Sequence, residues 1–322
     1  MDLTPIQALV KADFDKVDSL IDQCLCSEIP LIPKLAKHLI HSGGKRLRPL
    51  IVLLSAAAFN YQGKAHLLLA ATLELIHTAT LLHDDVIDSS ALRRGKKTAN
   101  TLWGNSASIL VGDLLYSRAF QLMVEVNNLR VLKSLADATN TLSQSEILQL
   151  VNCHNSDLGE NQYLKIIEGK TGILFSIAAQ QAAILSERSE AEIIAMSNYG
   201  LYLGIAFQLI DDTLDYTGST MRIGKTQGDD LAEGKITLPL IHALQHADRK
   251  QANLIRAAIS QGERKNLNAI IDIIKSTHSI DYIYQRAEEY VEKARANLQI
   301  IPDSICRQAL ATLAEFAIVR HH

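Results

Sequence analysis

The sequence predicts an all-α fold, a helical bundle built by a single domain over residues 1–322. Three observations carry that prediction. Apolar residues recur at three- and four-residue steps through most of the chain. Only 6 prolines and 16 glycines punctuate it and aromatics make up 5%, a mix that favours helices over an all-β sandwich. No window alternates as a half-buried strand does, and no long polar linker divides the chain. A hydrophobic share of 48% against 21% charged residues belongs to a folded chain that buries a sizeable core.

The clearest element is 66–88 (HLLLAATLELIHTATLLHDDVID), whose apolar positions keep the helical period without a β-branched run. The same period places helices near 6–26, 50–60, 106–126, 130–151, 171–185, 190–216, 236–246, 250–260, 265–275 and 280–298. Breaks fall at Ser42-Gly43-Gly44, Tyr61-Gln62-Gly63, Arg94-Gly95, Asn127-Asn128 and Gly169. Between 217 and 235 the chain reads TGSTMRIGKTQGDDLAEGK, with four glycines and little apolar content. Long connections of this kind are disproportionately functional.

Charge narrows the function. Lys and Arg number 32 and Asp and Glu 35, a net charge of −3, so no basic field exists for nucleic acid and no such partner is expected. Cys24, Cys26, Cys153 and Cys306 form no CxxC pair, which fits a reducing compartment and offers no zinc site. The opening MDLTPIQALVKADFDKV lacks the apolar core of a secretory signal. The most apolar run, Leu67 to Leu82, is interrupted by Glu74 and His77 and is short for a bilayer. A soluble, cytoplasmic protein is expected.

Two carboxylate clusters stand out. Asp84, Asp85 and Asp88 form one DDxxD motif, and Asp211, Asp212 and Asp215 form a second. Each lies late in an apolar helical segment. Positions i and i+4 share a helix face, so Asp84 stacks beside Asp88 and Asp211 beside Asp215. Like charges at that spacing cost a few tenths of a kcal/mol. The C-terminal end of a helix disfavours anions by roughly 0.3–1 kcal/mol more. A compensating cation is therefore expected. Mg²⁺ fits, because it takes oxygen ligands, keeps several waters and bridges one or two carboxylates to substrate phosphates. A solvated acidic helix end accounts for one such cluster; two copies, each after a long apolar run, point to a metal site.

Basic residues match these acids. Gly43-Gly44-Lys45-Arg46-Leu47-Arg48-Pro49 is a glycine turn followed by three cations. Arg93 and Arg94 follow the first cluster, and Lys225 and Lys235 lie in the connection after the second. Lys170-Thr171 is expected to open a helix, whose free N–H groups would add to phosphate binding. Arg offers a planar fork to phosphate oxygens and Lys a point charge. Neither a Walker A loop nor GxGxxG occurs, so nucleotide binding is not indicated. Phosphates, divalent metal and no base-reading element suggest diphosphate chemistry on a non-nucleotide substrate.

Taken together, GGKRLRP, LLHDDVIDSSALRRG, Lys170-Thr171, FQLIDDTLD and GDDLAEGK resemble the trans-isoprenyl diphosphate synthases, from about residue 30 to 300 and in that family's order. Residues 73–122 are most similar to the long-chain bacterial type that makes a quinone side chain. The resemblance implies the isoprenoid-synthase bundle with a central cavity. It also implies a Mg²⁺-dependent prenyltransferase that condenses isopentenyl diphosphate onto an allylic diphosphate such as farnesyl diphosphate. The implied product is an octaprenyl tail for ubiquinone or menaquinone, another chain length being the alternative.

The same resemblance implies two or three Mg²⁺ ions, with Asp84, Asp88 and Asp211 as direct ligands. Asp85, Asp212 and Asp215 are implied as direct or water-mediated partners. Arg93, Lys170, Thr171, Gln208, Lys225 and Lys235 are implied to hold the allylic diphosphate, Lys170 and Lys225 acting with the aspartates in catalysis. Lys45, Arg48, His77 and Arg94 are implied to hold isopentenyl diphosphate; the plain alternative for His77 is a hydrogen-bonded core histidine. Ionisation, condensation and elimination need no Ser–His or Cys–His nucleophile, and none is evident. A homodimer is implied, as is transient membrane contact when so apolar a product leaves.

The growing tail would run from the acids into the bundle past Thr80 and Ala79, both small, where short-chain relatives carry a blocking aromatic. Met123, with Phe120 nearby, is the expected floor, although core packing explains either side chain. Thr213, Ile236 and the Thr-Gln after Lys225 depart from the common family pattern without removing a charged motif residue. Two rivals remain at this level: a terpene cyclase, which usually lacks a second DDxxD, and a non-catalytic synthase subunit, which typically loses the acidic motifs.

Overall fold

A computed structural model describes residues 2–40, 44–218 and 227–319. Helices α1 (Thr4–Ala8) and α2 (Lys11–Cys24) replace the single helix expected over 6–26, the chain breaking at Val10, whose φ of −126° is not helical. Then follow α3 (Leu31–Ile40), α4 (Leu47–Ala58) and α5 (Ala65–Ile87). Two-residue strands, Leu92–Arg93 and Lys96–Lys97, pair antiparallel and are the sole β-structure among the described residues. Next come α6 (Ala99–Trp103), α7 (Asn105–Glu125), α8 (Leu129–Val151) and α9 (Glu160–Ile167). A π-helical turn, Glu168–Gly172, joins α9 to α10 (Ile173–Leu185), and α11 (Glu190–Thr217) follows. The chain closes with α12 (Asp229–Ala232), α13 (Leu238–His246), α14 (Arg249–Gln261), α15 (Leu267–Ser276), α16 (Ser279–Asn297) and α17 (Ile305–Val319).

The starts of several helices are written locally. Asn128 accepts the N–H groups of Arg130 and Val131 ahead of α8. Ser189 and Glu192 form a capping box on α11, and Asp248 with Gln251 does the same on α14. Helices α3, α9 and α17 were not marked by the periodicity. Helix α3 contains Pro33 and α9 has 8 residues, too few to show a period. Helix α17 follows Pro302 and is held by its packing on α4, α11 and α16.

One contiguous apolar core runs from Leu3 to Ala317. Helix α5 lies deep in it: Leu69, Leu73, Leu75, Ile76 and Ala79 are all 0% exposed. Full burial of each Leu or Ile contributes about 1.5–3 kcal/mol. Helix α11 packs against α10 and α16, and glycines set the distance. A Cβ on Gly200 would stand 2.2 Å from the Phe175 carbonyl oxygen, and one on Gly204 2.8 Å from the Gly172 Cα. The Tyr199 hydroxyl donates to the Leu310 carbonyl (2.8 Å) and ties α17 to the same centre.

By length and composition α5, α7 and α11 could each cross a membrane, so the expectation that the Leu67–Leu82 run is too short is corrected. Glu74 and His77 do not end that helix, because both side chains turn to an internal cavity. Helices α5 and α11 are largely buried inside the bundle, whereas α7 is 39% buried.

Candidate active site

The second half of α5 and the second half of α11 form two walls of one cavity of about 610 Å³. From α5 and the residue that caps it come Glu74, His77, Thr80, Asp84 and Asp88, and from α11 Gln208, Asp211, Asp212 and Asp215. The two DDxxD motifs therefore meet across a shared hollow. Lys45, Arg48, Arg93, Arg94, Lys170, Thr171 and Lys235 line the same space. Lys225 lies outside the described residues.

The six aspartates are not equivalent. Successive helical residues rotate by about 100°, so Asp85 points away from Asp84. It is 0% exposed, does not line the cavity and receives Arg93 Nε at 2.9 Å and Nη2 at 2.8 Å. A metal role for Asp85 is thus replaced by a structural one: it anchors Arg93, and its carbonyl accepts from Asn100 (2.9 Å). Asp212 accepts from the Tyr163 hydroxyl (2.6 Å) and from Gln208 Nε2 (2.7 Å). Burial, with Asp230 nearby, pushes its carboxyl well above the usual range despite those bonds. Asp215 is pushed up to about 7, by burial first and then by Asp230. It accepts the backbone N–H groups of Gly228, Asp229 and Asp230, which ties α11 to the segment carrying Lys235.

Cations already touch the first triad. Lys235 Nζ lies 2.6 Å from Asp88 and 2.9 Å from Glu233. Burial opposes its charge, but Asp88, Glu233 and Asp230 more than offset this and raise its pKa. Lys170 Nζ stands 3.8 Å from Asp84. Part of the compensation expected from a metal is therefore built into the chain.

Lys170 and Thr171 do not open a helix. They lie inside the π-helical turn, which continues from α9 into α10, so no free helix N-terminus exists there and that expectation is corrected. What holds the turn is close packing. A Cβ on Gly169 would stand 1.8 Å from Ser145 Oγ, and one on Gly172 2.9 Å from Leu201 Cδ1. Gly169→Ala should therefore cost about 1–3 kcal/mol through overpacking and lower the melting temperature seen by far-UV circular dichroism; an unshifted melt would contradict this packing. Thr171 donates to Gln208 Oε1 (2.8 Å), which in turn orients Gln208 toward Asp212.

A second cationic group sits around Glu74, which is buried one turn before His77. Arg46 Nε is 3.6 Å from it, and Arg46 also pairs with Asp18 on α2. Burial raises the Glu74 carboxyl, while Arg46, Arg48 and Arg94 act against that rise. Arg48 lies over the Phe175 ring at 4.7 Å, and its Nε is buried without a hydrogen-bond partner. Burial brings the Arg48 pKa down to about 10, with Glu74 and Asp211 opposing. Burial, then the charges of Arg48, Arg93 and Arg94, hold His77 well below the usual histidine value, so the ring is neutral at pH 7. Gly44 has no Cβ to collide with Arg94, whose Nη1 would lie 2.6 Å from it.

Neither Ala79 (0% exposed) nor Met123 (1%) lines this cavity, whereas Thr80 does. Phe120 is 41% exposed and tilts against Tyr116. Residues not singled out from the sequence also line it: Glu74, Glu146, Gln149, Tyr163 and Asp230. Two left a legible trace. Glu74 is the lone acid in the apolar run before His77, and Asp230 belongs to GDDLAEGK. The others are brought in from α8 and α9 by tertiary packing.

The donors on the two walls are carboxylate oxygens, which suit a hard divalent cation. Among the described residues no three acids converge on a single ion position. Mg²⁺ takes one or two carboxylates and completes its shell with water and phosphate oxygens. Asp84, Asp88 and Asp211 line the cavity and could supply such oxygens.

The sequence profile of the Polyprenyl synthetase family matches residues 29–275. The chain belongs to this family. It is 45% identical to the octaprenyl diphosphate synthase of Haemophilus influenzae, covering 100% of this chain and 98% of the relative. It is 46% identical to the octaprenyl diphosphate synthase of Escherichia coli over 99% of each chain. The fold matches the polyprenyl synthase of Caulobacter crescentus solved with calcium and isoprenyl diphosphate, with a TM-score of 0.96 at 41% identity over 100% and 98% of the two chains.

Proposed function

We propose that this polyprenyl synthetase extends an allylic diphosphate, farnesyl diphosphate for preference, by repeated head-to-tail addition of isopentenyl diphosphate, and that its product is all-trans octaprenyl diphosphate for a quinone side chain. The observation that carries the reading is the meeting of two DDxxD triads, with two separate cationic groups, around one cavity. Full-length identity of 45% and 46% to two octaprenyl diphosphate synthases supports the product. A nonaprenyl relative at 43% keeps neighbouring lengths as the alternative.

The cations divide the labour. Arg93, Lys170 and Lys235 flank the acids, so they meet the allylic diphosphate, with Thr171 and Gln208 beside them. Lys45, Arg48 and Arg94 meet isopentenyl diphosphate, and the neutral His77 ring has an N–H to donate to it. Asp84, Asp88 and Asp211 would hold two or three Mg²⁺, which would supply positive charge to the departing diphosphate. Lys170, Arg93 and Lys235 stabilise the charge that develops on the same leaving oxygens. Leu174, Phe175 and Phe207 line the cavity and keep water from the allylic carbocation. The isopentenyl double bond attacks that cation, and loss of a proton to the released diphosphate restores the alkene. The test feeds purified protein with farnesyl diphosphate, labelled isopentenyl diphosphate and Mg²⁺. Mass analysis should show eight C5 units; a cyclised hydrocarbon formed without isopentenyl diphosphate would sink the reading.

The assembly proposed is a cytoplasmic homodimer. Leu110 (67% exposed) and Val124 (66%) on α7, with Leu129 (84%) at the start of α8, leave an apolar surface that a second copy would cover. Leu110→Lys with Val124→Lys should give a monomer by light scattering; an unchanged mass would place the interface elsewhere. Transient contact with a bilayer at product release belongs to the same proposal.

A further inference from the structure

We propose that Glu146 and Gln149 are positioning residues that tether the Lys170 ammonium at the allylic leaving group. The inference rests on the reading above, in which Lys170 meets the allylic diphosphate.

Glu146 and Gln149 stand three residues apart on α8 and so share a face. That face lines the cavity, while Ile147 and Val151 on the other side of α8 are 61% and 69% exposed. Earlier turns of α8 bury Val131, Leu135 and Leu142, whereas its last turns place this polar pair inward and apolar residues outward. Withdrawing an acid and an amide from water is costly unless they are paired, and their partner is Lys170. Its Nζ lies 2.7 Å from Glu146 Oε2 and 2.8 Å from Gln149 Oε1.

A lysine ammonium carries three N–H donors. Two are committed to α8. Asp84 Oδ2 at 3.8 Å is within ion-pair range but beyond hydrogen-bonding distance. One N–H is therefore left to meet a phosphate oxygen, and Asp84 fixes the side of the cavity on which it does so. The backbone beneath Lys170 is equally constrained. Its π-helical turn is wedged between α8, where Gly169 faces Ser145, and α11, where Gly172 faces Leu201. The Gly169 contact is with the residue directly before Glu146, so one close approach sets both the turn and the tether. A flexible four-carbon side chain is thereby held in place before substrate arrives, and preorganised charge of this kind lowers the barrier to departure of the leaving group.

The test is a double-mutant cycle on the full-length protein, with steady-state kinetics on farnesyl and isopentenyl diphosphates. Glu146→Ala should lower kcat by about 30-fold and leave the KM for isopentenyl diphosphate unchanged. Glu146→Gln keeps an oxygen acceptor and should recover all but about fivefold of that loss. In a Lys170→Ala background, Glu146→Ala should cost less than about twofold, because its partner is gone. An equal loss in both backgrounds, or a loss confined to the KM for isopentenyl diphosphate, overturns the tether. If Glu146→Ala fails to fold by circular dichroism, the cycle is run with Glu146→Gln and the same criterion applies. Full turnover by Lys170→Ala alone overturns the leaving-group role of Lys170 and the tether with it. An impaired Lys170→Ala with additive losses overturns only the tether.

Discussion

Asp84→Ala is expected to cut kcat by about a hundredfold to a thousandfold or more, with helical circular dichroism close to that of the unaltered protein. Asp84 lines the cavity on the wall opposite Asp211, beside Lys170. It does not belong to the packed core, so the bundle does not depend on it. Its removal takes away an oxygen donor for Mg²⁺ and leaves Lys170 without the anion that marks its side of the cavity. Asp211→Ala should behave alike from the other wall. Asp85→Ala should differ. Its carboxylate is buried under Arg93, so the variant leaves a desolvated guanidinium unpaired, at a stability cost of about 3–5 kcal/mol. A thermal melt separates the two classes. Near-normal turnover in Asp84→Ala or Asp211→Ala would refute the metal assignment.

Thr80→Phe is expected to shorten the product by several C5 units while the first condensations proceed. Thr80 stands one turn before Asp84 on the same face and lines the cavity, and its hydroxyl is spent on the His77 carbonyl at 2.8 Å. Each buried CH₂ of a growing tail contributes about 0.8 kcal/mol, so elongation continues until a side chain stops it. A phenyl ring at this point stands across the path from the acids. Ala79→Phe makes the contrast. Ala79 is fully buried away from the cavity, so the larger ring overpacks the core. That change should cost about 1–3 kcal/mol and appear as a lower melting temperature. Mass analysis of the products decides, and an unchanged length distribution in Thr80→Phe would move the tail elsewhere. Met123 is likewise core, so Met123→Ala should cost about 2–5 kcal/mol in stability.

Much of the site could be read before any folding was considered. The DDxxD spacings, the cations after Gly44, the Arg93-Arg94 pair and Lys235 are local patterns, and all of the described members except Asp85 line one cavity. Asp85 turns away from that cavity toward Arg93, and a motif gives residue types without the direction in which each points. Lys170-Thr171 was misread for a related reason. Gly169 looks like a break between helices, but here glycine serves close packing, and the chain continues through it as a π turn. Glu146 and Gln149 left no trace, since an acid and an amide on a helix ordinarily belong to a solvated face.

The sequence by itself determined the helical class and the identity of the charged groups, because periodicity and i, i+4 spacing are properties of a single helix. Only the tertiary structure decided which aspartates face the cavity, which is consumed by Arg93, and which lysine is held by α8. Those choices depend on contacts between residues far apart in the chain. Lys170 with Glu146, Lys235 with Asp88 and Tyr163 with Asp212 each join distant parts of the chain. Such contacts depend on how α5, α8 and α11 are placed around the cavity, and glycines without side chains let the π turn approach α8 and let α11 approach α10.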